Sequence, residues 1–167
     1  MISPYFNHQL SRCGFSTPYS LLPLTCDYFG HTKRKTLYRI IMLGKFQQSQ
    51  LRIEVEASQK VIGDSLLCPR QLQQWLPVRL SSGLPEQLES GLTFTSSIGS
   101  IVIQHQVQVA APNCLRFLLS GSVDGFHEWY WGEGWVQSRL EGISLLPLNL
   151  SQTIGLWRLR QFLATQK

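Results

Sequence analysis

Apolar and polar residues alternate with period two in several stretches after residue 50, the spacing of strands with one dry face. Ile101, Ile103, His105, Val107 and Val109 alternate with Val102, Gln104, Gln106 and Gln108, the clearest such run. Leu51, Ile53, Val55 and Ala57 alternate in the same way with Arg52, Glu54, Glu56 and Ser58. The pattern also predicts strands at 78–80, 92–97, 114–120, 126–131 and 135–141. The last two are joined by Gly132, Glu133 and Gly134, whose glycines permit the positive φ of a tight hairpin. Gly142 is expected to end the sheet.

Two short helices are predicted between the first strand and the others. Ser58 can cap one that buries Val61, Ile62, Ser65 and Leu66. Cys68-Pro69 breaks it, and Pro69 opens a second, running from residue 70 to 75. One long helix is predicted from Asn149 or Ser151 to Ala164. Leu150, Ile154, Trp157 and Gln161 share a stripe expected to face inward, widened by Leu156, Leu159 and Leu163. Arg158 and Arg160 are expected on the outer flank. Gly155 costs about 1 kcal/mol relative to alanine in a helix, so it is expected to let the helix approach the sheet closely.

The order strand, two short helices, antiparallel strands, long helix predicts an α+β helix-grip fold. A curved antiparallel sheet of six or seven strands holds the final helix across its concave face. Imperfect complementarity between wall and helix would leave an apolar void, of the kind small-molecule sites use. Strand parity then nominates the lining: Ile101, Ile103, His105, Val107 and Val109, with Phe117 and Leu119, on two strands. His127, Trp129, Trp131, Val136, Ser138 and Leu140 follow on the hairpin, and Ile154 and Trp157 on the helix. Glu128, Tyr130, Trp135, Gln137 and Arg139 should face out, with Glu128 and Arg139 paired across the hairpin. One unrecognised bulge would invert a set.

His105 and His127 are the only candidates for catalysis. Two imidazoles in an apolar chamber could orient a ligand carbonyl or hydroxyl, or exchange protons near neutral pH. The plainer reading is two core histidines bonded to backbone or water. Trp129, Trp131 and Trp157 could line a flat ligand or simply pack. Two histidines without a carboxylate or third ligand make a poor metal site, so neither metal nor cofactor is expected. The sequence has no hydrolase-type serine motif and no glycine-rich phosphate loop.

Residues 47–166 resemble the SRPBCC superfamily of START domains, polyketide cyclases, pathogenesis-related allergens and coenzyme Q-binding proteins, with the general look of cyanobacterial members. The resemblance is carried by the opening strand with residues 61–67, Leu72-Gln73-Gln74-Trp75-Leu76-Pro77 and residues 88–94. The strand around His127-Glu128-Trp129 and Leu140-Glu141-Gly142 before the last helix complete it. It implies an inner cavity, a hydrophobic ligand such as a lipid, quinone, polyketide or pigment, and a monomer. It implies no reaction, because the superfamily shares no catalytic motif.

Charge excludes a nucleic-acid reading. The net charge is +5, but five Lys/Arg stand against one acid before Leu43, and ten against nine from there on. The domain therefore has no basic stripe to track phosphates. Residues 1–45 read as an extension: a cleaved or disordered targeting peptide, a segment docked through Tyr5, Phe6, Phe15 and Tyr19, or sequence preceding a true start at Met42. The run Lys33-Arg34-Lys35 reads as solvated or as an anionic-lipid patch. Four scattered cysteines and no long apolar run point to a reduced, cytoplasmic chain without a transmembrane segment. Peripheral membrane contact stays open. Three functions remain: a hydrophobic-ligand carrier, a filled scaffold with an exposed patch, and a cyclase or dehydratase using His105 and His127.

Overall fold

The computed structural model describes residues 44–166. Ten elements follow the predicted order. Strand β1 (Lys45–Glu54) leads into helices α1 (Gln59–Leu67) and α2 (Pro69–Trp75), which carry the chain to the far edge of the sheet. The strands β2 (Arg79–Leu80), β3 (Thr93–Ile98), β4 (Ile101–Ala111), β5 (Cys114–Gly121), β6 (Val123–Gly132) and β7 (Trp135–Ser144) return as an antiparallel meander. Helix α3 (Leu148–Ala164) closes the domain. The seven strands lie in the order β1-β7-β6-β5-β4-β3-β2.

Local chemistry accounts for the junctions. The Ser58 hydroxyl accepts from the Val61 N–H, capping α1. Pro69 occupies the first turn of α2, where its missing N–H costs nothing. Gly134, at φ +73°, makes the two-residue turn between β6 and β7. Gly142 does not end the sheet: β7 runs through it to Ser144. The glycine answers a different demand, since Gly125 and Gly142 face each other where β6 and β7 come too close for side chains. A Cβ on Gly125 would collide with the Glu141 carbonyl oxygen.

Parity holds with one exception. A bulge between Val107 and Val109 shifts the β4–β5 register, so Val109 pairs with Arg116 and leaves the inner face. Ala110, opposite Leu115, takes its place against the core. A single extra residue reverses every later side chain on the strand.

α3 lies across the inner face, packing on β1, β7, α1 and α2. Its buried side chains are Leu148, Gln152, Leu156, Leu159 and Leu163. The expected inward stripe is therefore corrected. Ile154 and Trp157 are 44% and 57% exposed, and Leu150 joins them on the outer face. Both faces of this helix carry bulky apolar residues, so periodicity alone could not rank them. Gly155 has open space around it and permits no close approach to the sheet. The start of α3 has no side-chain cap of its own. Gln47, on the inner face of β1, does that work: its Oε1 accepts from the Leu148 N–H at 3.0 Å, and its Nε2 donates to the Ser144 and Leu146 carbonyls.

Candidate functional site

Neighbouring inner-face residues follow from the register. Leu140, His127 and Phe117 form one row across β7, β6 and β5; Ser138, Trp129 and Leu115 form the next. His105 on β4 sits between Leu119 of β5 and Phe94 of β3. The rings contact one another in series. Phe94 stacks on His105 at 4.8 Å, His105 meets Phe117 edge-on at 5.4 Å, and His127 lies 4.7 Å from Trp129. Trp129 in turn meets Trp75 of α2 at 6.2 Å.

Each imidazole is held by a serine. Ser96 Oγ lies 2.8 Å from His105 Nε2, and Ser138 Oγ lies 2.8 Å from His127 Nε2. Gln152 of α3 donates through Nε2 to Ser138 Oγ at 2.9 Å, linking the helix to the sheet. Ser138 is fully buried, and among the described residues His127 Nε2 is the one acceptor for its proton. The chain therefore runs Gln152 N–H to Ser138 O–H to His127 Nε2, which leaves the imidazole proton on Nδ1. His127 Nδ1 makes no hydrogen bond among the described residues. At Ser96 no second donor fixes the direction of the bond, and His105 Nδ1 is buried without a partner among the described residues. Gln152 Oε1 is likewise buried and has no hydrogen-bond partner among the described residues.

Both imidazoles are neutral at physiological pH. Burial lowers His105 from 6.5 to about 4. Burial, then the charge of His105, lowers His127 to about 3. Both side chains lie on the inner face of the sheet and are half-buried, which disfavours the charged form.

The nominated residues divide into three groups. Val107, Phe117, Leu119, Trp129, Trp131, Val136, Ser138 and Leu140 face inward and are buried. Ile101, Ile103, His105 and His127 face inward and stay partly accessible. Ile154 and Trp157 lie outside the site altogether. Beneath α3 the space is occupied by side chains: Leu115, Trp131, Val136, Leu159 and Leu163 are at most 1% exposed. Two open depressions among the described residues lie elsewhere. One, of about 370 Å³, borders α1 and Pro112, and another, of about 410 Å³, lies beside Trp157. Sequence reading missed Ser96, Gln152 and Phe94. Inward parity on β3 could have found Ser96 and Phe94. Gln152 carried no signal, being a polar residue on a buried helix face.

On the convex side, Glu128 faces out as expected but is only 6% exposed. Arg116 holds it at 3.1 Å, and Arg139 approaches at 3.8 Å. Both guanidinium groups also cover Phe126. Trp135 lies under Arg52, 4.2 Å from the ring centre, and is not a free apolar patch. Cys68 and Cys114 form no disulfide among the described residues. No group of His, Cys, Asp and Glu among the described residues could hold a metal. No helix there is long and apolar enough to cross a membrane. The expectations for the leading extension and for Lys33-Arg34-Lys35 lie outside the described residues.

No family model matches the chain, and no curated protein matches it by sequence. Solved structures do match in shape. A protein from Chromobacterium violaceum, CV1439, aligns with a TM-score of 0.59 at 16% identity, over 70% of this chain and 97% of its own. DynU16, from the dynemicin biosynthetic locus, aligns at 0.55 and 17% identity over 72% of this chain, which spans about half its length (48%). Norcoclaurine synthase from Thalictrum flavum, solved with dopamine and hydroxybenzaldehyde, aligns at 0.55 and 12% identity, over 85% and 99%. At such identities the likeness speaks for architecture alone: the domain has the helix-grip α+β fold, a seven-stranded antiparallel sheet clasped by its C-terminal helix.

Proposed function

We propose that this chain binds a small, uncharged, largely apolar molecule bearing a carbonyl-type acceptor, on the inner face of the sheet beside His105 and His127. The carrying observation is the pair of imidazoles on an aromatic wall, each tied to a serine at Nε2 and neither with a hydrogen bond at Nδ1 among the described residues. A buried donor left unpaired costs about 1–3 kcal/mol, so a ligand oxygen that accepts from it recovers that energy. The neutral imidazoles, which no carboxylate among the described residues holds in the charged form, favour a neutral guest over an ion. The same features weigh against acid–base catalysis, because imidazoles held neutral by burial carry no acidic imidazolium proton at neutral pH and are weak bases. The filled space beneath α3 supports a compact guest over a long lipid chain.

Native mass spectrometry of gently purified protein, followed by titration with 2-acetylnaphthalene and naphthalene, tests this reading. The ketone should bind about tenfold more tightly, as expected for one recovered hydrogen bond. Replacing both imidazoles, His105→Phe with His127→Phe, should erase the difference. A protein that carries no small-molecule adduct and binds neither probe would instead support a filled scaffold. The complete burial of Trp131 and Val136 is the observation that favours that second reading.

A further inference from the structure

α3 has a second apolar face that the ligand reading does not use. Leu150, Ile154 and Trp157 are 55%, 44% and 57% exposed, at spacings of four and three that put them on one stripe. The opposite face is already committed to the core through Leu148, Leu156, Leu159 and Leu163. At 100° per residue, Arg158 lies on one side of the exposed stripe and Arg160 on the other, and both are exposed. The helix contains no Asp or Glu. The depression beside it is lined by Trp157, Arg160, Gln161 and Ala164.

We propose that this face rests on an anionic lipid surface. An exposed Trp between two aliphatic side chains suits the boundary between headgroups and acyl chains, and long Arg side chains on both flanks reach phosphates while their stems stay apolar. Charge selects this occupant over a second copy of the chain. Two such stripes laid face to face would bring arginine to arginine with no acid on either helix to meet them. A lipid surface supplies the missing negative charge and needs no shaped partner.

Vesicles of phosphatidylcholine alone, and of phosphatidylcholine with phosphatidylserine, test the proposal on the full chain. Tryptophan emission should shift to the blue only with phosphatidylserine present. The shift should vanish in Trp157→Phe, although four other tryptophans remain. Arg158→Gln combined with Arg160→Gln should weaken vesicle binding about thirtyfold, at roughly fivefold for each arginine near a charged surface. Ile154→Ser should also weaken it, and circular dichroism should show every variant folded, since all these positions are exposed. Binding that survives both the arginine and the Ile154 changes would belong to the basic run Lys33, Arg34 and Lys35 and would overturn the proposal. So would the absence of vesicle binding, or a lipid-free self-association that Ile154→Ser abolishes.

Discussion

Acid should weaken this fold through two named side chains. In an unfolded chain an imidazole titrates near 6.5. In the folded chain burial holds His105 to about 4 and His127 to about 3. Between those values the unfolded chain binds protons that the folded one refuses. The stabilising contribution is therefore complete above pH 6.5 and is lost as pH falls toward 4 and then 3. Proton linkage gives about 2 kcal/mol for each imidazole between pH 7 and pH 5, and about 4 kcal/mol for the two. That is a large part of the 5–15 kcal/mol typical of a domain. Urea denaturation at the two pH values reads it directly. His105→Gln and His127→Gln should each reduce the pH-dependent loss by about 2 kcal/mol, and the double variant should remove most of it. His8 and His31 are present in every variant and cancel. Equal losses in the parent and the double variant would show that the imidazoles are not held neutral by burial, and the reasoning fails.

Other substitutions probe the framework. Gly125→Ala should cost at least about 3 kcal/mol in chemical denaturation, because its methyl group meets the Glu141 carbonyl across β6 and β7. Gly155→Ala should stabilise by up to about 1 kcal/mol, raising the melting temperature, since its surroundings are open and the helix gains propensity. Leu159→Ala should cost about 2–5 kcal/mol and Leu150→Ala well under 1, a contrast that reports which face of α3 is clasped. Glu128→Gln takes the carboxylate from Arg116, while Arg139 keeps its closer partner Glu141; with both arginines partly solvated, the loss measured by urea unfolding should be about 1 kcal/mol.

Alternation was legible wherever a strand has one wet and one dry face. It placed His105, Phe117, His127, Trp129 and Ser138 on the inner side, where the structure has them. It broke at the β4 bulge, because one extra residue leaves no mark in composition and Val109 is as apolar as its neighbours. It misjudged Gly142, where a glycine between strands looks like a terminator but serves close backbone approach. The helix face was misread for a different reason. Leu150, Ile154 and Trp157 are as apolar as the buried set, while the buried set includes Gln152. Hydrophobicity alone therefore points to the wrong side. Polar partners such as Gln47 and Gln152 act on residues distant in sequence, and only tertiary placement reveals them.

A guest molecule inside the grip would sit against both imidazoles. Imidazole Cε1–H and indole N–H resonances, followed by nuclear magnetic resonance while 2-acetylnaphthalene is added, locate it residue by residue. The signals of His105 and His127 should shift together and saturate, with the Trp157 indole unmoved. Saturable movement of Trp157 while both imidazoles stay still would place the guest on the outer face of α3 and contradict a site inside the grip.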